Sequence, residues 1–395
     1  MRDVVILGSV RTAGGKFGGA LQNQSAADLG AVVVREAIKR SGISAEVIDQ
    51  TIFGNAWQAG VGPNPARLCS VKGGVPVSAP AVSINVRCGS SVQALIMGAQ
   101  AIKAGDVETV LVGGTESASQ IPYALPAARW GARMGNGVLE DLMHKDGFRC
   151  PLGGGLMGEL TEALAQERGI SRKDQDAFAV DSHNKAEAAA KGGKFRDEVI
   201  AVELPGKKGV ITRWDTEEIY REGLTADSLL SLPPVFSKNG GTITAGNACA
   251  LCDAAAAQVI MSADKAKALG LKPMAKLRGY AFVGVDPKYF GISPAKAIPL
   301  ALARAGLSLA DIDLIELNEA FAAQYLACEQ DLKLDRSKVN VHGGAIALGH
   351  PVAATGAKIL TTLLYALKQR DLTLGLVSAC IGGGNGVAAV VERLN

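Results

Sequence analysis

The sequence has few histidines and no long apolar run, and each shortage excludes a class of protein. Its four histidines are His144, His183, His342 and His350. None is spaced from another histidine or from a cysteine pair as metal ligands are. No uncharged apolar window approaches the ~18 residues of a membrane-spanning helix. We therefore expect neither a metal site nor a membrane span.

An excess of charge of one sign is also missing. The chain has 41 Lys and Arg against 38 Asp and Glu, a net charge of +3, and no long run of like charges. This balance argues against a nucleic-acid partner. The first residues are typical of a short apolar strand rather than a secretory signal, and the last carry no common sorting signal. We therefore expect a cytoplasmic protein.

Cysteine and glycine usage narrows the class further. The seven cysteines are Cys69, Cys88, Cys150, Cys249, Cys252, Cys328 and Cys380. An odd number scattered over 395 residues argues against a disulfide framework, and the single CxxC lacks the second pair of a zinc ribbon. Glycine accounts for 48 residues without a collagen period, well above the usual ~7%. We expect reduced thiols and many tight turns.

Short β-branched runs alternate with helical patterns, which is typical of a layered α/β fold. The helix after Cys88 carries apolar residues on most of its surface and is expected to be buried nearly all round. In this half, strands are predicted at 4–7, 51–53 and 82–86, and helices at 26–40 and 90–104.

An internal repeat is visible. Residues 37–44 and 301–308 match at an offset of 264, and both lead through an Ile-Asp pair into an apolar run. A strand at 339–341 and a helix at 354–369 continue the second copy. Two pseudo-symmetric units would bring their equivalent turns together, so that Cys88, His350 and Cys380 share one cleft. The alternative is that the repeat is only the common βα pattern.

The segment between the copies breaks this alternation with Pro- and Gly-rich stretches. Two helices are predicted inside it, at 159–168 and at 171–191 with a cap at Ser171. We predict an N-terminal α/β domain of residues 1–117 plus 241–270, a loop domain of residues 118–240, and a C-terminal α/β domain of residues 271–395.

Two cysteines, Cys88 and Cys380, lie at positions where a catalytic role is plausible. Cys88 follows a strand and opens a helix, where the macrodipole lowers a thiol pKa, although cysteine is also a common core residue. Cys380 follows another strand and precedes glycines that let backbone N–H groups approach a substrate. A strand rather than a helix comes next, so the dinucleotide-binding motif fails there.

A histidine and an asparagine complete the candidate set. His350 precedes Pro351 and an apolar helix, which places it near the helix N-cap, where a histidine more often has a structural role than a catalytic one. Asn318 ends a strand and is either a polar group that holds a water or a helix N-cap.

Four motifs in this order resemble the thiolase family, above all its members that act on acetyl-CoA, and the resemblance covers the whole chain. They are Asn-x-x-Cys-x-Ser at 85–90, Asn-Glu-Ala-Phe at 318–321, Gly-His-Pro at 349–351 and Cys-Ile-Gly-Gly-Gly at 380–384. The resemblance implies a thiolase-like α/β fold of two pseudo-symmetric five-stranded layers with an inserted loop domain.

The resemblance also implies the chemistry. Cys88 would be the acylated nucleophile, His350 would take its proton, and Cys380 would remove an α-proton from a second acetyl-CoA. Asn318 would hold a water in one oxyanion hole with His350, and the N–H groups of Cys88 and Gly382 would form the other. The reaction condenses two acetyl-CoA molecules to acetoacetyl-CoA and CoA, or runs backwards as thiolytic cleavage.

In this family the loop domain holds coenzyme A, which is substrate and product, with no permanently bound cofactor. The segment 125–135 resembles the family's tetramerisation loop, so a homotetramer is implied; the alternative is a solvated loop. Substrate-binding residues at matching positions are Leu156, Met157, Arg221 (toward the nucleotide), Asp227, Ser228, Ala248, Cys249, Phe290 and Phe321.

Several positions depart from the family pattern and leave the acyl-chain preference open. Ser91 and Ala353 stand where glycine is usual, Thr355 where serine is usual, and Cys249 where serine is usual; Leu156 and Phe290 also differ from acetoacetyl-specific members. We expect the added atoms to take space beside the nucleophile or pantetheine. The alternatives are a 3-ketoacyl-CoA thiolase with longer substrates and a catalytically silent scaffold subunit.

Overall fold

The computed structural model describes residues 2–206, 209–237 and 240–395. Its strands are β1 (Val4–Thr12), β2 (Gly15–Lys16), β3 (Gln50–Gly54), β4 (Ala81–Ile84), β5 (Thr109–Glu116), β6 (Tyr123–Ala124), β7 (Glu140–Asp141), β8 (Arg149–Cys150), β9 (Gly155–Leu156), β10 (Val199–Ile200), β11 (Val202–Pro205), β12 (Ile211–Trp214), β13 (Cys252–Ser262), β14 (Ala275–Gly284), β15 (Leu314–Leu317), β16 (Leu374–Ile381) and β17 (Asn385–Arg393).

The helices lie between these strands, as an α/β fold requires. They are α1 (Ala26–Ser41), α2 (Pro65–Lys72), α3 (Ser90–Ala104), α4 (Met157–Glu167), α5 (Arg172–Lys191), α6 (Ala226–Leu230), α7 (Ala263–Ala268), α8 (Pro294–Ala305), α9 (Ala322–Leu332), α10 (Ala345–Leu348) and α11 (Thr355–Gln369).

The main sheet consists of two similar halves joined edge to edge. Its strand order is β15-β16-β17-β14-β1-β13-β5-β3-β4, and the halves meet where β1 pairs with β14. The internal repeat is confirmed: α1 and α8 both end at a glycine with positive φ, Gly42 (71°) and Gly306 (69°). A 3-10 turn and then a strand follow in each copy.

The predicted strand at 339–341 is wrong. Only Val339 forms a bridge, to Ile315, so the C-terminal half has four strands where five were expected. Asn340 has φ +46°, which leaves the extended region. Its side chain replaces the missing strand by bonding the Leu317 N–H and carbonyl, each at 2.9 Å.

Helices α3 and α11 share one buried core with strands from both halves. As expected, α3 is buried over most of its surface, and α11 is buried along nearly its whole length. Outer cores place α1 and α2 against the N-terminal half and α8 and α9 against the C-terminal half. Because α3 and α11 each begin at a candidate catalytic turn, this packing sets the two turns face to face.

The inserted segment carries three small sheets and helices α4, α5 and α6. The predicted capping box of α5, Ser171 with Asp174, is confirmed. The segment is not fully separate from the N-terminal half, because β10 pairs in parallel with β1. The three domain boundaries stay a prediction. No helix of the described ranges is long and apolar enough to cross a membrane.

Candidate active site

Cys88 lies in a one-turn 3-10 helix between β4 and α3. The preceding Arg87 has φ +50°, a left-handed conformation that non-glycine residues rarely adopt. Gly89 has no room for a side chain, since a Cβ there would stand 2.2 Å from Ile381 Cδ1. The turn Arg87–Gly89, which we call the nucleophile turn, therefore contacts the end of β16, the strand that carries Cys380.

Side chains on both sides of the turn hold its conformation. Asn85 Oδ1 accepts the Arg87 N–H at 3.0 Å. Ser90 Oγ accepts the Val86 N–H at 3.0 Å and donates to the Arg87 carbonyl at 2.7 Å. These bonds explain why Asn and Ser flank Cys88 in the motif: they stabilise a turn whose backbone is strained.

His350 reaches Cys88 from the opposite half of the molecule. Its Nε2 lies 3.1 Å from Cys88 Sγ, and its Nδ1 lies 2.6 Å from Thr355 Oγ1. The His350 backbone N–H donates to the Ala250 carbonyl at 2.9 Å. The imidazole is therefore held on both nitrogens and through its backbone, as in a nucleophile–base–orienting-group arrangement.

The electrostatics correct one expectation about Cys88. Burial raises the pKa of its thiol to about 11, although Arg87 and the N–H groups of Gly382 and Cys88 itself oppose this shift. Burial, together with the charge of Lys358, lowers the pKa of His350 to about 3. The resting pair is a thiol beside a neutral imidazole and not the helix-stabilised thiolate predicted from the sequence.

Three thiols line one apolar cavity of about 90 Å³. Burial raises the pKa of Cys380 and of Cys249 as well, and the proximity of Cys88 adds to both shifts. The predicted convergence of Cys88, His350 and Cys380 is thereby confirmed. The cavity is lined by Ala56, Trp57, Arg87, Cys88, Asp146, Gly147, Phe148, Met157, Cys249, Phe290, Ala320, Phe321, His350, Val352, Cys380 and Gly382.

Asn318 is buried, yet its side-chain Oδ1 and Nδ2 have no hydrogen-bond partner among the described residues. Its backbone N–H donates to the Ser378 carbonyl at 2.9 Å, which links it to β16, the strand that carries Cys380. Buried amides are nearly always bonded, so such a group calls for a water or a ligand. Asn318 does not cap a helix with its side chain, which removes the alternative considered from the sequence.

The structure brings together only some of the predicted substrate-binding residues. Met157, Cys249, Phe290 and Phe321 line the cavity, whereas Leu156 and Ala248 lie beside lining residues. The remaining three, Arg221, Asp227 and Ser228, are exposed on the inserted segment and do not line the described cavity.

Two of the residues that depart from the family pattern, Ser91 and Ala353, do not line the described cavity. Ser91 accepts the Ala357 N–H at 2.8 Å and so binds the start of α11. Ala353 is fully buried and donates its N–H to Glu116 at 3.0 Å. Thr355 instead orients His350. Of the departures near Cys88, those whose atoms face the cavity are Cys249 and Phe290.

Some residues that support the site were not predicted from the sequence. Glu116 is buried, and its carboxylate accepts N–H groups of Ala56, Trp57 and Ala353, which links the two halves beside Cys88. Burial raises the pKa of Glu116 to about 7. The sequence signal that could have identified Glu116 was a carboxylate at the end of an apolar strand. Trp57 and Phe148, which pack edge to face, had no signal in the sequence that marked them as part of the site.

Comparisons with known proteins agree with this geometry. Residues 4–264 match the thiolase N-terminal domain and residues 271–393 the thiolase C-terminal domain. The chain is 50% identical over 393 residues to an acetyl-CoA acetyltransferase of Cupriavidus necator and 48% identical to one of Pseudomonas aeruginosa, with 100% of both chains covered in each case. The crystal structure of the Bacillus anthracis acetyl-CoA acetyltransferase superimposes with a TM-score of 0.97 at 41% identity, covering 100% of this chain and 99% of that one.

Proposed function

The chain belongs to the thiolase family and is an acyltransferase, and on this premise we propose that it interconverts two acetyl-CoA molecules with acetoacetyl-CoA and CoA. The observation that carries the proposal is the convergence of Cys88, His350 and Cys380 on one cavity, with His350 Nε2 3.1 Å from Cys88 Sγ.

In the first half-reaction, His350 Nε2 takes the proton of Cys88 Sγ while the sulfur attacks the thioester carbonyl. The bond between this carbonyl and the CoA sulfur breaks, CoA leaves with a proton, and Cys88 carries the acetyl group. A neutral His350 is required for this step, and the lowered His350 pKa provides it at every physiological pH. Division into two steps predicts ping-pong kinetics.

In the second half-reaction, Cys380 reacts in its thiolate form: it takes a proton from the methyl carbon of a second acetyl-CoA and becomes a thiol. The resulting carbanion attacks the acetyl carbonyl, and the Cys88 thiolate leaves as acetoacetyl-CoA forms. Transfer of the Cys380 proton to the Cys88 thiolate then restores the starting form of both thiols. In cleavage the same groups act in reverse, and Cys380 starts as a thiol that donates its proton. The raised Cys380 pKa is consistent with that starting state.

Two sets of donors are suited to the developing oxyanions. The N–H groups of Gly382 and Cys88 face the Cys88 sulfur, so they are suited to bind the carbonyl oxygen of an acyl group carried by that sulfur. The unpartnered amide of Asn318 is suited to hold a water that, with His350, polarises the second carbonyl. Both assignments follow the family pattern residue by residue.

Coenzyme A is substrate and product here, and we infer no resident cofactor. Its pantetheine would pass Leu156, Met157, Ala248 and Cys249 toward the cavity. The exposed residues of the inserted segment, Arg221, Asp227 and Ser228, would meet the nucleotide end.

The small cavity favours a short acyl chain over the longer-chain alternative. An apolar cavity of about 150 Å³ holds a molecule the size of benzene, whereas this one measures about 90 Å³. The test is CoA-dependent cleavage of 3-ketoacyl-CoA substrates of increasing chain length. Activity confined to the shortest members supports the proposal, a maximum at long chains overturns the acetyl preference, and no activity at any length overturns the enzyme assignment in favour of a scaffold.

We also propose a homotetramer and a cytoplasmic location. The segment 125–135 exposes Leu125, Trp130 and Met134, with Trp130 81% and Met134 97% exposed. Side chains this large and apolar are more often covered in an assembly. Light scattering on the wild type and on Trp130→Glu tests this, since a charged side chain there should reduce the particle mass. All seven cysteines are free thiols, which suits a reducing compartment.

A further inference from the structure

Lys358 is a buried ammonium group that the reaction scheme does not use. It lies on α11 one turn after Thr355 and is 3% exposed. Its Nζ donates to the carbonyls of Leu348 and Gly349, the latter at 3.1 Å. These are the two residues directly before His350. The ammonium thus binds the backbone that carries the candidate general base.

That backbone needs outside support. Gly349 has φ +83° and ψ 155°, a region open almost only to glycine. A Cβ at Gly349 would stand 2.4 Å from Ile219 Cδ1 and 2.6 Å from Cys252 Cβ. The peptide before His350 is therefore wedged between the inserted segment and β13, in a conformation with few alternatives once its carbonyls are bound.

Buried charges compensate the Lys358 ammonium. Arg11 pairs with Glu198 at 2.6 Å and with Glu217, and Glu217 also accepts the Gly14 N–H at 2.9 Å. Burial and Arg11 lower the pKa of Lys358, whereas the carboxylates of Glu217 and Glu198 favour its charged form. Two cations and two carboxylates form one balanced buried cluster, which is the condition for keeping an ammonium out of water.

We propose that Lys358 is a positioning residue for catalysis: it fixes the two carbonyls before His350 so that Nε2 stays in line with Cys88 Sγ. Its positive charge also opposes protonation of the imidazole. Besides Lys358, the titratable groups that line the cavity with His350 are the thiols of Cys88, Cys249 and Cys380, whose pKa values burial raises. Arg87 and Asp146 line it as well. This inference rests on the proposed role of His350.

The test compares three substitutions at this position with a control on the same helix. Lys358→Met removes both the charge and the donors, Lys358→Gln keeps a donor without the charge, and Lys358→Arg keeps both. Lys368→Met removes an exposed lysine from the end of α11 and serves as the matched control. Circular dichroism and thermal unfolding identify the folded variants, and Lys358→Gln carries the test if Lys358→Met does not fold.

We expect kcat for acetoacetyl-CoA cleavage to fall ~10- to ~100-fold in Lys358→Met, because a displacement of about 1 Å in a catalytic group can cost that much. KM should change little, since Lys358 is buried and does not line the described cavity. The acidic limb of kcat against pH should move upward in Lys358→Met and Lys358→Gln, because the pKa of His350 rises without the adjacent charge. Lys358→Arg should keep the wild-type acidic limb.

A folded Lys358→Met with wild-type kcat and acidic limb would overturn the inference. An equal loss in Glu217→Gln, which unbalances the cluster but leaves both carbonyls bound to Lys358, would overturn it as well, because general destabilisation would then suffice. Failure of the proposed function looks different: His350→Ala would leave the alkylation rate of Cys88 and the cleavage activity unchanged.

Discussion

The substitution Thr355→Val tests how the general base is prepared. Thr355 Oγ1 lies 2.6 Å from His350 Nδ1, while Nε2 of the same ring faces Cys88 Sγ. A neutral imidazole carries one proton, and it accepts the Cys88 proton only if that one sits on Nδ1. In that tautomer the Nδ1–H donates to Thr355 Oγ1, so the hydroxyl provides the acceptor that this tautomer needs. Valine has nearly the same shape but no acceptor.

The size of the effect follows from the burial of the pair. His350 is 6% exposed and Thr355 is fully buried, so water cannot replace the lost acceptor. An unpaired buried donor costs ~1–3 kcal/mol, and at ~1.4 kcal/mol for each tenfold change the productive tautomer becomes ~5- to ~150-fold rarer. The rate of Cys88 acylation should fall by the same factor. The free energy of unfolding should fall by no more than this ~1–3 kcal/mol, because valine fills the space of threonine and no cavity is created.

The assay is the single-turnover acylation of Cys88 by acetoacetyl-CoA, followed by mass spectrometry. Thr355→Ser is the control, because its hydroxyl keeps the acceptor, and its rate should stay close to that of the wild type. Acylation of Thr355→Val at the wild-type rate would refute the argument. An equal loss in both variants would also refute it, since Thr355→Ser keeps the hydroxyl and the loss would then not depend on that group.

Three further predictions concern the thiols and the buried histidines. Cys88→Ser should form no acyl-enzyme by mass spectrometry, and labelling that persists at another residue would remove Cys88 from its role. Cys380→Ser should still be acylated at Cys88 but turn over slowly, and loss of acylation itself would contradict the division of labour. Burial lowers the pKa of His342 from 6.5 to about 4, so its contribution to stability is present above pH 6.5 and is lost as the pH falls through 4. Denaturant unfolding between pH 7 and 4 should show His342→Gln losing less stability than the wild type, by up to ~3 kcal/mol; parallel curves would contradict the burial argument.

Much of the fold could be predicted because local patterns along the chain are strong. The repeat at residues 37–44 and 301–308 anticipated the paired halves, and the Ser171 cap located the start of α5. The strand at 339–341 failed because Asn340 replaces strand pairing with its own side chain. A side-chain contact of this kind leaves no periodic signal.

The candidate site was likewise only partly predictable from the sequence. Cys88, His350 and Cys380 were recognisable because each follows a strand or opens a helix in a motif. The direction of the Cys88 pKa shift could not be predicted from the sequence. The helix macrodipole, which lowers a thiol pKa, is a local effect, whereas burial, which raises it, depends on every element around the cavity. The role of Ser91 was likewise hidden, since its partner Ala357 lies in the other half.

The sequence by itself determined the alternation of strands and helices, the repeat and the identity of the reacting side chains, because these depend on residues that are neighbours in the chain. Only the tertiary structure decided which groups support them. His350 and Cys88 are 262 positions apart, and the Glu116 carboxylate accepts the Ala353 N–H across 237 positions, so both contacts exist only once the two halves have packed. Burial, which sets the protonation of these groups, is a property of the folded chain and of no single segment.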